Sequence, residues 1–302
     1  MPAEKTKLIP TGITSLDEAM DGGFPAGVFV ELTGEMGAGH KELATTTSMM
    51  LSAMMSGKLR RPKGKNIMIP KRILWVTFTR PETDIVREIE SSYDPDLYKP
   101  FRKQVKFKDL SEDYFLTSSV PIEWISKGAA RKRRKKALAS LRDELAGLRR
   151  RTGAPARKPR GMLGSLADYL TGRAKDSLVV LDSLTDLARL YSDTEERWYE
   201  FVLFLRGLQR VSKRWNCIIY GILDDNLLDK RMEAEISVCA DGVLSFKWAQ
   251  AGPAERRRTL YLRKFRGLLP SAGGAAMRFE VTISPSAGLQ VVKPELIEGL
   301  KA

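Results

Sequence analysis

Two of the 302 residues are cysteines, Cys217 and Cys239, and only one, His40, is a histidine. A disulfide framework or a multi-cysteine metal site needs more thiols than this, and both cysteines stand in apolar surroundings that suit buried core thiols. A Ser-His-Asp triad or a multi-histidine metal centre would have to be built on His40 alone. No apolar run is long enough to span a bilayer, so no membrane contact is expected. Met1 to Lys5 shows no apolar stretch behind a basic region, so no secretory signal is expected. These absences point to a reducing cytoplasm.

Charge is present in quantity, and it is unevenly spread. The net charge is +14. Residues 127–160 carry 14 Lys and Arg against 2 Asp and Glu, which leaves +2 for the rest of the chain. The chain therefore reads as a nearly neutral body with one basic insert at about 127–160. Within the insert, Leu138, Leu141, Leu145 and Leu148 are spaced to share one helical face. Such a helix either packs on its own domain or serves as a basic arm for a partner, nucleic acid or an acidic protein. Arg131, Lys132, Arg133, Arg134, Lys135, Lys136, Arg149, Arg150 and Arg151 are the candidate contacts. The insert has no aromatic residue, so base stacking is not expected there.

Elsewhere, apolar runs alternate with helical patterns. Strands are predicted at Val28–Thr33, Ile73–Phe78, Ser177–Leu181 and Asn216–Leu223, with helices at His40–Ser56, Pro81–Ser91 and Arg197–Arg214. Later strands are predicted at Val238–Phe246, Thr259–Phe265, Met277–Ile283 and Gly288–Val292. This rhythm predicts an α/β fold with a mostly parallel, twisted sheet, helices on both faces and an antiparallel C-terminal extension.

One run carries chemistry. Gly34-Glu35-Met36-Gly37-Ala38-Gly39-His40-Lys41 follows a strand and opens a helix, the context of a phosphate-binding loop. Glycines let the backbone curl until several N–H groups face one anion, and the helix N-terminus adds its positive end. The usual pattern is G-x-x-x-x-G-K-[ST]. Here His40 takes the lysine position, Lys41 the hydroxyl position, and Glu42 follows. Histidine is shorter than lysine and only partly charged near neutrality. A protonated lysine cannot ligate Mg²⁺ as the hydroxyl does; Lys41 could instead replace the lost cation. Leu178-Val179-Val180-Leu181-Asp182 is an apolar strand ending in a carboxylate, which places Asp182 as the holder of a Mg²⁺ water shell.

Four blocks in this order resemble the KaiC/RadA branch of the RecA-fold P-loop ATPases. They are Ile9 to Asp17 with Gly22 to Gly27, the Gly34 to Lys41 loop, Val179 to Leu187, and Ala240 to Val243 followed by Arg258 to Gly267. The resemblance covers nearly all of residues 1–302 as a single RecA-like domain, apart from the basic insert. It implies bound ATP and Mg²⁺, and assembly with itself or with an active RecA-fold paralogue. It also implies that Lys264 and Arg266, in Lys264-Phe265-Arg266-Gly267, reach the γ-phosphate held by a neighbouring subunit. The family's catalytic glutamate ends the second core strand, where this chain has Thr79 and Arg80. Threonine is a poor base and arginine cannot be one, which leaves Glu82 as the nearest acidic candidate. The pattern implies a regulatory or scaffolding protein that binds ATP and hydrolyses it slowly or not at all. An alternative is a DNA-recombination accessory factor that holds DNA through the basic insert.

Overall fold

The computed structural model describes residues 6–64, 66–115, 118–125, 161–250, 252, 255–265 and 276–297. The insert candidates Arg131 to Lys136 and Arg149 to Arg151, together with Arg266, lie outside the described residues.

The centre of the fold is a run of strands that read as continuous apolar stretches. β3 (Val28–Gly34) and β6 (Ser177–Asp182) are buried at every residue. A strand covered on both faces suits the middle of a parallel sheet. β4 (Arg72–Thr77) and β7 (Ile218–Asp224) complete the set. β8 (Gly242–Gln250) lies parallel to β3 on its other side, and β5 (Val105–Asp109) lies parallel to β4 at the edge. β9 (Arg256–Phe265), β10 (Ala276–Ser284) and β11 (Gly288–Ile297) add antiparallel neighbours beyond β8. The order across the nine-stranded sheet is β11-β10-β9-β8-β3-β7-β6-β4-β5. A separate pair, β1 (Leu8–Ile9) and β2 (Phe24–Pro25), flanks it.

Successive side chains of a strand face opposite ways, and the core divides accordingly. Val30, Leu32, Trp75, Val180 and Ile222 pack on one face with α2 (His40–Met55). Phe29, Leu74, Val179, Leu181 and Ile219 pack on the other, with α7 (Met162–Leu170), α8 (Leu184–Arg189) and α9 (Glu195–Trp215). Of these helices α9 is the longest. Thr194 caps its first turn by accepting from the Arg197 N–H, and Asn216 ends it in the left-handed region. Its buried Trp198, Phe201, Val202, Leu205 and Leu208 recur at helical spacing. No helix of the described residues is long and apolar enough to cross a membrane.

The helix α1 (Thr14–Ala19) explains the opening block of the sequence. Asp17 folds back and accepts from the Thr11 N–H at 2.7 Å, the Thr11 hydroxyl at 2.8 Å and the Gly12 N–H at 2.9 Å. These residues serve the turn.

One expectation needs correction, and one strand has no counterpart in the sequence reading. The strand expected from Val238 begins at Gly242. Val238 and Cys239 end the helix α10 (Lys230–Cys239), which buries Ile236 and Cys239 three residues apart on one face. Asp241 marks the boundary: its N–H donates to the Phe29 carbonyl, and its carboxylate accepts from the Phe29 N–H, Gln209 and Lys213. The edge strand β5 was not anticipated. It places lysines at alternate positions, Lys106 and Lys108, a pattern that protects an exposed sheet edge.

Candidate functional site

Parallel pairing brings the carboxyl ends of the central strands to one side of the sheet. Gly34 pairs with Asp224, and Thr77 with Asp182. β3 is also where successive connections diverge, α2 carrying the chain away to β4, and ligands of open α/β sheets bind at such crevices.

The glycine loop between β3 and α2 is held from outside. Trp248 Nε1 donates to the Met36 carbonyl at 3.1 Å, and Arg258 Nε donates to the Gly37 carbonyl at 2.9 Å. The Arg258 guanidinium stacks 4.5 Å over the Trp248 ring. Glu35 returns the contact, its carboxylate accepting from the Trp248 N–H at 3.3 Å. A trans peptide points its C=O and N–H in opposite directions, so the Gly37 N–H faces away from Trp248. Gly37 at φ +72° and Gly39 at φ +120° occupy conformations that favour glycine. No side chain caps α2 at Gly39, and its first internal bond runs from Leu43 N–H to the Gly39 carbonyl. The leading N–H groups of α2 thus have no partner within the helix.

Three residues follow the last glycine and go three ways. His40 turns inward and is 2% exposed. Its Nε2 lies 3.0 Å from Asp224 Oδ1, and an ionised carboxylate only accepts, so Nε2 carries the proton. The ring lies against Gly34, where an added Cβ would stand 2.7 Å from Nδ1, and Nδ1 itself is buried without a partner. Lys41 turns toward the strand ends. Its ammonium stands 3.6 Å from Asp224 Oδ1 while the side chain stays 44% exposed. Glu42 lines a cavity of ≈ 240 Å³ with Lys41, Thr45, Ile89, Tyr93 and Pro285. Burial pushes the Tyr93 hydroxyl up to about 12.

The acidic groups at the strand ends differ in their surroundings. Asp182 is buried, and Trp75 Nε1 donates to its Oδ2 at 3.3 Å. Burial raises its pKa; the Lys41 charge, the Trp75 hydrogen bond and Arg80 oppose the rise without cancelling it. Burial also pushes Asp224 upward, but there the His40 hydrogen bond and the Lys41 charge prevail, and its pKa is lowered from its ordinary value. Thr185 Oγ1 accepts from the Asp224 N–H at 2.8 Å. Asp186, in the first turn of α8, accepts from Ser183 Oγ at 2.8 Å and from Thr79 Oγ1 at 3.0 Å. Arg80 is also paired with Glu88.

Other expected site residues stand elsewhere. Glu82 opens α3 (Glu82–Ser92) with an exposed side chain, and its N–H reaches Asp109 Oδ2 at 3.4 Å, beside the edge strand. Lys264 turns back onto its own chain. Its ammonium donates to the carbonyls of Ser237 at 3.0 Å and Ala240 at 2.8 Å, at the negative end of α10. The sequence reading missed Asp224, Asp186, Trp248 and Arg258. Asp224 had a readable signal: the apolar run Ile218 to Leu223 ends in a carboxylate, as the β6 run does at Asp182.

These residues do not suit a Mg²⁺ ion. Lysine replaces the usual ligating hydroxyl, and its ammonium is a donor only. Like unit charges 4 Å apart repel by about 4 kcal/mol at the effective dielectric of a protein surface, and a divalent ion doubles that. Among the described residues, no three His, Cys, Asp or Glu side chains gather to hold a metal.

The backbone has a counterpart among solved structures. A KaiC-like protein, PH0186, from the hyperthermophilic archaeon Pyrococcus horikoshii OT3 superposes with a TM-score of 0.59, over 95% of this chain and 100% of that one. The fold is KaiC-like. Sequence identity across the match is 18%, so the likeness concerns the path of the chain. No protein-family model matches the sequence, and no curated protein matches it. Within this KaiC-like fold, the glycine loop, Lys41, Asp182 and Asp224 share one end of the sheet.

Proposed function

We propose that this protein binds ATP through its glycine loop, hydrolyses it slowly or not at all, and uses the bound nucleotide to regulate assembly. The observation that carries the reading is the loop itself. Its outer carbonyls are clamped by Trp248 and Arg258, while the Gly37 N–H and the uncapped first turn of α2 face the other way. That is the arrangement an oxyanion needs. Lys41 adds a cation at the same end of the helix. The cavity beside Glu42, Tyr93 and Pro285 is the natural seat for base and ribose.

Slow hydrolysis follows from the end of β4. Thr79 donates its hydroxyl to Asp186, and Arg80 cannot accept a proton. Losing a general base commonly costs about 10²–10⁴-fold in rate. Asp186 is engaged by two hydroxyls, and Glu82 is exposed at the start of α3. The protein is then a nucleotide-responsive scaffold that pairs with itself or with an active paralogue through the Lys264/Arg266 segment that ends β9. A neighbour's phosphate at Lys264 must compete with the α10 carbonyls.

Calorimetric titration with ATP and ADP tests the first part, with micromolar affinity expected and lost in Gly39→Val. Absence of heat up to millimolar ATP would mark the loop as a fold element only. Steady turnover above about 0.1 per second, where typical enzymes reach about 1–10³, and abolished by Asp182→Asn, would sink the second part.

The charge concentrated in residues 127–160 favours a second reading, a polyanion-binding accessory factor. DNA affinity should then fall steeply with salt and vanish when 127–160 is deleted. Retained affinity in that deletion excludes the insert as the site.

A further inference from the structure

Both departures from the usual loop motif, His40 and Lys41, converge on one carboxylate. His40 donates to Asp224 Oδ1 from the buried side, and Lys41 stands 3.6 Å from the same oxygen on the open side. Asp224 therefore has a fixed orientation and faces a tethered cation. Lys41 is also the leading positive charge acting on Asp182, one strand away, with Arg80 behind it.

In the ordinary motif the residue at position 41 is a hydroxyl that ligates Mg²⁺, and a carboxylate ending another core strand, here Asp182 on β6, holds the ion's water shell. We propose that Lys41 is a built-in replacement for that metal: its ammonium pairs with Asp224 at the strand ends, and the site takes a nucleoside triphosphate in its metal-free form. The choice of ligand rests on the nucleotide-binding reading; the exclusion of the metal does not. Three observations support the assignment over a lysine that merely stands in for the missing loop lysine. The side chain points to the strand ends. It keeps 44% exposure, so the ammonium can face a phosphate on its solvent side. Finally, His40 fills the space against Gly34 and fixes the carboxylate to which Lys41 is drawn.

The division of labour is specific. His40 is a positioning residue that acts through Asp224. Lys41 supplies the charge. Inorganic triphosphate and ATP should share this requirement, because it concerns phosphate oxygens and not the base.

The test is an ATP titration of the full chain in excess Mg²⁺ and in EDTA. The wild type should bind equally in both, within about twofold, whereas Lys41→Thr should lose about tenfold or more in EDTA and recover in Mg²⁺. A wild type that loses about tenfold in EDTA overturns the proposal, as does a Lys41→Thr protein indifferent to Mg²⁺. A wild type that binds ATP in neither buffer sinks the nucleotide reading by itself. Mn²⁺ titration followed by electron paramagnetic resonance then decides the metal question. The proposal stands when the wild type shows no Mn²⁺ site and Lys41→Thr gains one that Asp182→Asn removes. It falls when the wild type already holds Mn²⁺, or when Lys41→Thr gains nothing.

Discussion

β6 and β7 are neighbours, both apolar, and both end in aspartate, yet the two carboxylates sit on opposite sides of their ordinary value of 3.8. Asp182 has an indole N–H and a cation that does not overcome its burial. Asp224 has an imidazole N–H at 3.0 Å and an ammonium at 3.6 Å, and there the partners win. Burial alone thus does not set the charge state of a strand-end acid; what counts is which donors the neighbouring helix turn delivers. β3 contributes a third case. Glu31 is 1% exposed, its Oε2 has no hydrogen-bond partner, and burial pushes it up to about 7 despite Ser237 and Arg263.

The strongest way to break this comparison is at Gly34. An alanine Cβ there would stand 2.7 Å from His40 Nδ1 and 2.9 Å from Phe246 Cβ. Gly34→Ala should force His40 off Asp224, cost about 1–3 kcal/mol of stability as an overpacked site, and abolish ATP binding; chemical denaturation and titration measure both.

Glu31 provides the next largest effect. Its folded pKa is above its unfolded value, so between about 4.5 and 7 the folded state holds a proton that the unfolded chain has released. Stability from this group therefore falls as pH rises through that window and levels off above it. Glu31→Gln should remove the slope and stabilise the protein at pH 8 by up to about 3 kcal/mol, since one unit corresponds to about 1.4 kcal/mol. An unchanged slope would show that the carboxylate finds a partner in solution.

Exchanging each strand-end acid for its amide sharpens the contrast directly. Asp224→Asn should destabilise at neutral pH by about 1–3 kcal/mol, the worth of a charge-assisted hydrogen bond. Asp182→Asn should stabilise, because it removes a carboxylate whose ionisation burial opposes. Asp224 contributes stability above pH 3.8 that is lost as pH falls through its lowered folded value. The cost at Asp182 is fully present above its raised folded value and disappears in acid. The two variants should therefore converge with wild type on acidification. Changes of the same sign in both would refute the contrast.

The smallest effect is at Lys264, where Lys264→Ala should cost about 0.3–1 kcal/mol by uncapping α10. A thermal melt unchanged by the substitution would show that the helix end is satisfied by water.

Much of this was legible in the sequence. The β3–loop–α2 unit, β6, β7, α9 and the closing antiparallel strands follow from apolar runs and helical spacing, and so does the sheet class. Neither signal tells which strand lies beside which. The contact between His40 and Asp224 joins residues 184 apart and depends on β7 settling against β3. The grip of Trp248 and Arg258 on the loop likewise depends on β8 lying on the far side of β3. The end of α10 was misread because Val238 and Cys239 fit a strand as readily as a helix, and only the Asp241 contacts decide. Lys41 stands at the hydroxyl position of the loop pattern, and the run Ile218 to Asp224 shows its terminal carboxylate, but only the fold brings the two together.

The loop's clamp has a mechanical consequence. Trp248 and Arg258 are direct cross-strand partners in the β8–β9 ladder, so both hands that grip the loop stand on a single rung. A twist of that rung would turn the Met36 and Gly37 peptides together, moving the loop as one piece. A body docking on the outer strands would therefore have a lever on the glycine loop without touching it.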